Sequence, residues 1–224
     1  MSINNKKILT AITLFLLLVA LPLGSWYYLQ RGLNYYKKAV SELKDYGKVP
    51  QFSFTDQDGK TLGSEDMQGK VYVANFIFTR CTTICPKMTE QMSRLYEVFH
   101  KNQEIGLLSF TVDPAHDSVA VLKTYAEANH IPDDGVWHLL TGDKQQIYEL
   151  VRKGFRLPVG EGANGGDDDF IHSNYFALVD ATGTVRNYYD GTDPAQVDRL
   201  MQHIALIIPK EKKEVATKKV PQEL

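Results

Sequence analysis

Cysteine occurs only twice in this 224-residue chain, at Cys81 and Cys85. Two thiols cannot build a Cys₄ zinc or iron–sulfur site, nor a disulfide-dense scaffold. They suffice for one redox pair, or for two ligands of a mixed-donor metal site. The sequence also lacks an excess of positive charge. Lys and Arg number 25 against 27 Asp and Glu, a net charge of −2, and phosphate backbones demand a large basic surplus. Nucleic acid is therefore not the expected partner. No internal repeat is present, and no Ser-His-Asp context or zincin helix appears, so hydrolytic chemistry has no visible carrier. With 43% apolar and 23% charged residues the chain is too apolar for a disordered one, and its length suits one domain or at most two.

Charge is missing altogether from the 22 residues Ile8 to Leu29. As a helix they would span about 33 Å, enough to cross a hydrocarbon core of about 30 Å. Lys6 and Lys7 precede the run and Trp26, Tyr27 and Tyr28 close it, the arrangement of a cytoplasmic basic flank and a far-side aromatic belt. Residues 1–30 read as a cytoplasmic start and a single transmembrane anchor. A cleaved signal peptide begins similarly, but its apolar core is usually shorter, and Leu23-Gly24-Ser25 poorly matches a cleavage site. Either reading exports the rest of the chain. Residues 31–47 form a polar stalk, helical or irregular, and 209–224 a charged tail without apolar periodicity, expected to be disordered. The 161 residues 48–208 between them can bury one core.

Within that domain, Phe52 to Thr55 alternates and runs into Asp56-Gln57-Asp58-Gly59, a hairpin signal. Val71 to Phe78 and Ile105 to Val112 are almost continuously apolar, as strands covered on both faces would be. Pro86 to His100 carries Met88, Met92, Leu95 and Phe99 at helical spacing. A helix follows from Asp117 to Asn129, capped by Asp117 or Ser118, then a strand at Val136–Leu140 and a helix at Lys144–Lys153. Leu157 to Asp169 is a loop rich in Gly, Asp and Pro. Tyr175–Val179 and Thr184–Tyr189 flank a second hairpin turn, and a last helix runs from Pro194 to Leu206. The alternation specifies a layered α/β fold. Its closing hairpin and terminal helix suggest a thioredoxin-like arrangement with an added N-terminal β-hairpin.

The segment Cys81-Thr-Thr-Ile-Cys85-Pro86 falls where a central strand hands over to a helix. Unpaired N–H groups and the helix dipole there lower a thiol below its free value of about 8.5. Pro86 suits the first helical turn, where no N–H is needed, and Arg80 adds positive charge nearby. Four residues apart on a helix, two Cβ atoms lie about 5–6 Å from one another, wide for a relaxed disulfide but suited to two sulfurs around one metal ion. A non-helical first cysteine could still close the gap.

Of six histidines, His172 stands out. It follows the Gly- and Asp-rich loop and precedes the strand from Tyr175, where a thioredoxin-like fold places the loop facing its cysteines. The others, His100, His116, His130, His138 and His203, suit surface or capping roles. Two thiolates and an imidazole form a soft, low-coordinate set that favours copper, Cu(I) or Cu(II). Zinc would want a fourth ligand, which Asp167, Asp168 or Asp169 could offer. Met88 and Met92 fit a core stripe rather than a donor pair. Gly160-Glu-Gly162-Ala-Asn-Gly165 spells a dinucleotide fingerprint, but three aspartates follow it and no helix begins there. Asp56-Gln-Asp58-Gly59 lacks the remaining ligands of a calcium loop.

Four segments together resemble the Sco/SenC family of copper proteins: Cys81-Thr-Thr-Ile-Cys85-Pro86, Thr111-Val-Asp113-Pro114-Ala-His-Asp117, Trp137-His-Leu-Leu-Thr141-Gly142, and Ile171-His172-Ser173 continuing to Leu178-Val-Asp180-Ala-Thr-Gly183. One departure is Ala115-His116-Asp117-Ser118-Val119, where the family often carries a basic residue and then Thr-Pro. The resemblance implies a membrane-tethered thioredoxin-like domain on the periplasmic or other extracytoplasmic side of the cell's inner membrane. It implies copper held by Cys81, Cys85 and His172, with a copper-accepting subunit of cytochrome c oxidase as partner, whose binuclear copper centre is being assembled. A metallochaperone of this kind need not be an enzyme, and whether this chain is one is left open by a second reading. The alternative is a thiol–disulfide oxidoreductase in which Cys81 and Cys85 reduce the cysteines of a metal acceptor.

Overall fold

The structure is a computed structural model and describes residues 3–156 and 173–209. The loop expected at 157–169, His172 itself and the tail from residue 210 lie outside the described residues. The chain divides into two units, Met1–Leu43 and Lys44–Leu224.

The first unit is helical: α1 (Ile3–Phe15), a π-helical turn (Leu16–Ala20) and α2 (Leu21–Ser41). Pro22 has no N–H to give to the preceding turn, and the widened turn immediately before it accommodates that loss, with Leu21 N–H reaching Leu16 O. The stretch Asn5–Ser41, 37 residues, is long and apolar enough to cross a membrane by length and composition. At 1.5 Å per residue it is about 56 Å long, well beyond a hydrocarbon core of about 30 Å. The helix thus continues through the residues read from sequence as a separate stalk, as far as Ser41.

The second unit is built on a seven-stranded sheet among the described residues. The strands are β1 (Ser53–Asp56), β2 (Thr61–Gly63), β3 (Val71–Ile77), β4 (Ile105–Thr111), β5 (Trp137–Thr141), β6 (Tyr175–Val179) and β7 (Val185–Asp190). Their order is β2-β1-β5-β4-β3-β6-β7. β3, β4 and β5 pair in parallel, in register Ala74↔Leu108 and Leu108↔His138. The outer strands pair antiparallel, β1 with β2 and β5, β6 with β3 and β7. Every residue of β3 and β4 is buried, which is why neither shows a polar alternation in sequence. Backbone pairing in this unit begins at Lys44, whose N–H donates to Arg186 O, and continues at Tyr46, which donates to Val185 O.

The helices are α3 (Cys85–Phe99), α4 (Val119–Ala128), α5 (Lys144–Glu149) and α6 (Pro194–Ile207). A second π turn, Leu150–Gly154, ends the segment expected as one helix to Lys153. One face of the sheet is an aromatic core in which Phe110 meets four other rings, its centroid 5.6 Å from Phe52, 5.8 Å from Phe54, 5.6 Å from Phe76 and 5.7 Å from Phe155. On the other face α3 buries Met88, Met92 and Leu95, and α6 buries Val197, Leu200 and Ile204. Both methionines thus belong to the core stripe. Ser118 caps α4, its hydroxyl accepting the Val121 N–H, while Asp117 turns elsewhere.

Candidate metal centre

β3 ends at Ile77 in the middle of the sheet, and the chain turns at once, Cys81 N–H donating to Phe78 O at 3.1 Å. Cys81 lies in the loop before α3, whereas Cys85 is the first residue of the helix and Pro86 follows it in the first turn. The two sulfurs therefore do not share a helical face. Instead the helix terminus points at the loop: the backbone N–H of Cys85 donates to Cys81 Sγ at 3.4 Å, and the Thr83 hydroxyl lies 3.7 Å from the same sulfur.

This geometry separates the two thiols chemically. Cys81 is half-buried, which works against its charged form. The N–H groups of Cys85 and Thr83, with further hydrogen bonds from both side chains, outweigh that and bring the thiol down to about 7. Cys85 is 2% exposed, and burial pushes its thiol up to about 12, with the Cys81 sulfur beside it working in the same direction. Arg80, expected to add positive potential, is spent elsewhere: its guanidinium pairs with Asp113 at 2.5 Å.

The family is decided on a longer stretch than these residues. The sequence model of SCO1/SenC matches residues 41–208. The chain belongs to the SCO1/SenC family. It is 36% identical over 159 residues to the SCO1 protein homolog of Bacillus subtilis strain 168, covering 70% of this chain and 81% of that one. Among solved structures it resembles BsSco, described as a member of the Sco family of cytochrome c oxidase assembly proteins with a disulfide switch. There the TM-score is 0.63 and the identity 33%, over 75% of this chain and 97% of the other. Bradyrhizobium japonicum ScoI, solved with copper bound, shares the fold at TM-score 0.57 and 21% identity, over 71% and 99% of the two chains. Mixed α/β architecture and thioredoxin-like fold are thus those of Sco proteins.

In this Sco domain the chemistry-bearing histidines divide sharply. His203, expected at the surface, is 1% exposed and hydrogen-bonded through Nδ1 to the Tyr189 hydroxyl, because α6 turns that side of the helix onto β7. His138 sits between the Asp56 carboxylate and Gly135 O, and His100 lies over its own helix end. His116 is exposed, its Nδ1 2.9 Å from Asp117. With Asp113 and Asp117 it forms the cluster of metal-capable side chains among the described residues, donor atoms within 4.8 Å of one another. Both carboxylates are already engaged: Asp113 by Arg80, Asp117 by the hydroxyls of Thr79 and Thr111 and by Thr79 N–H. The sequence offers Asp117 as a candidate cap for α4 and as the last residue of the segment that begins at Thr111. The motif Thr111-Val-Asp113-Pro114 marked the segment, but nothing in it points to a contact with Thr79.

Proposed function

We propose that this Sco-family chain carries copper on Cys81, Cys85 and His172 at the extracytoplasmic face of the inner membrane. It delivers the ion to the copper-accepting subunit of cytochrome c oxidase. The observation that carries this reading is the sulfur of Cys81: half-exposed, ionised near neutrality, and held in the loop four residues before a second cysteine at the start of α3. Thiolates are the soft donors that Cu(I) selects, and a cation at Cys81 would also offset the burial that keeps Cys85 protonated. The relatives support the same assignment, since BsSco is described among oxidase assembly proteins and ScoI holds copper on this fold.

The third ligand is inferred from sheet register. β6 pairs antiparallel with β3, Ala74 opposite Ala177, so the chain just before Tyr175 enters at the end of β3 from which the cysteine loop leaves. Ser173, next in sequence to His172, is buried there, its hydroxyl accepting Tyr175 N–H. The apolar N-terminal helix, with Lys6 and Lys7 in its first turns before the uncharged run, supports a single-pass anchor whose C-terminal domain lies outside the cytoplasm.

Metal loading requires both sulfurs reduced, so release and capture can be coupled to the redox state of the pair. A second reading, thiol–disulfide exchange with the acceptor's cysteines, draws on the contrast between a half-exposed ionised thiol and a buried protonated one. A competitive Cu(I) titration of the reduced chain and of His172→Ala separates the two. One equivalent bound, clearly weakened by the substitution, supports copper delivery. Binding indifferent to His172 would make the pair a redox dithiol.

A further inference from the structure

Asp117 has no exposed side-chain surface, yet it carries a carboxylate next to the cysteine loop. Its two oxygens gather four donors. Oδ2 accepts the backbone N–H of Thr79 at 3.1 Å and the hydroxyl of Thr111 at 2.5 Å. Oδ1 accepts the Thr79 hydroxyl at 2.5 Å and faces His116 Nδ1 at 2.9 Å. Asp117 is itself fixed, its N–H donating to Asp113 O at 2.8 Å. A buried carboxylate is costly unless so satisfied, and the set of donors shows what it holds together. Thr111 is the last residue of β4. Thr79 is the second residue after β3 and stands two before Cys81.

Other roles do not fit these contacts. The cap of α4 is Ser118, so Asp117 is not needed to terminate that helix. Both its oxygens are occupied by donors, so it is not free to hold an ion. Around Cys81 the loop is also tied by Cys81 N–H to Phe78 O, by the Arg80 guanidinium to Asp113, and by the N–H groups of Thr83 and Cys85 at Cys81 Sγ, but of these Arg80 alone reaches back to the segment after β4.

We propose that Asp117 is a positioning residue for the metal-binding cysteine pair. By clamping Thr79 to the end of β4 it fixes where the chain leaves the sheet, and so holds the Cys81 sulfur over the first turn of α3. The inference deepens the copper reading above and rests on it for the metal, while the placement of Cys81 is testable without metal.

The test uses the full chain in detergent with Asp117→Ala, Asp117→Asn and Thr79→Val. The asparagine oxygen can accept Thr79 N–H, and its NH₂ can donate to Thr79 Oγ1 and His116 Nδ1, so the clamp survives loss of charge. Asp117→Ala is expected to weaken Cu(I) binding by about 10- to 100-fold, the range for partners that orient metal ligands. It should also diminish the thiolate-to-Cu(II) charge-transfer band and change the rate at which iodoacetamide labels Cys81 in the metal-free protein. Asp117→Asn should restore all three, and Thr79→Val should fall between. Wild-type affinity, spectrum and labelling in a folded Asp117→Ala protein would overturn the proposal, as would an Asp117→Asn protein as impaired as Asp117→Ala. Should Asp117→Ala fail to fold, wild-type behaviour of Thr79→Val would overturn it instead. If the unmodified chain binds no copper, the copper reading falls, and the labelling rates alone decide the clamp.

Discussion

The backbone N–H of Cys85 points at the sulfur of Cys81 from 3.4 Å. The donor is a main-chain group of the first helical turn, one of those no helix can satisfy internally. The helix start therefore acts on the loop cysteine, and the cysteine inside the helix is left buried and protonated. One strand–loop–helix junction thus makes two unlike thiols from two identical residues.

Cys81 should be alkylated well before Cys85. Only the thiolate reacts, so the rate at Cys81 rises with pH and levels off above a midpoint near 7, while Cys85, held near 12, stays unlabelled in the folded protein up to pH 9. Timed iodoacetamide labelling read by peptide mass spectrometry measures both. Equal rates at the two sites would contradict the geometry.

Cys85→Ser keeps the backbone N–H that stabilises the Cys81 thiolate. Its labelling profile should remain displaced below the free-thiol value, yet Cu(I) affinity should collapse because one of two sulfur ligands is gone. Oxidising the unmodified pair should abolish Cu(I) binding as well, and reduction should restore it, as a chromophoric chelator competition would report.

Ser109 bridges two buried polar groups, donating to Asn75 Oδ1 at 2.6 Å and accepting from Trp137 Nε1 at 3.0 Å. Ser109→Ala leaves the indole N–H and the amide oxygen without it, at a cost of about 1–3 kcal/mol. A fall in melting temperature of roughly 2–4 °C per kcal/mol follows for a domain of this size. Copper stoichiometry should not change, since the triad lies within the sheet core away from the cysteine loop.

Phe110→Ala removes the ring around which Phe52, Phe54, Phe76 and Phe155 are arranged. Truncating a fully buried Phe costs about 3–5 kcal/mol, and Phe110→Leu should cost less. Urea unfolding read by Trp fluorescence distinguishes the two. A loss below 1 kcal/mol for Phe110→Ala would mean that the hairpin bearing Phe52 and Phe54 is not anchored through this ring.

Much of the fold was legible because burial has a period. The unbroken apolar runs at Val71 and Ile105 announced central strands, and Met88, Met92 and Leu95 announced the inner face of α3. The helix start at Cys85-Pro86 was legible from proline's fit to a first turn. Less legible was the end of the Lys144 helix, where a π turn intervenes, and the helical continuation to Ser41 through polar residues. In neither place does a capping residue or a change of period mark the event.

The sequence by itself determined the apolar N-terminal span, the order of strands and helices, and the junction at which two cysteines stand. These follow from local composition and from periods of two and 3.6 residues. Tertiary structure alone decided the state of the site: which sulfur ionises, that Arg80 is neutralised by Asp113, that His203 is buried against Tyr189, and that Asp117 grips Thr79. The cross-strand contacts of Arg80 and Thr79 join residues 33 and 38 positions apart. Hydrogen-bond donors and charges act over a few ångströms, and only folding brings those residues within that reach.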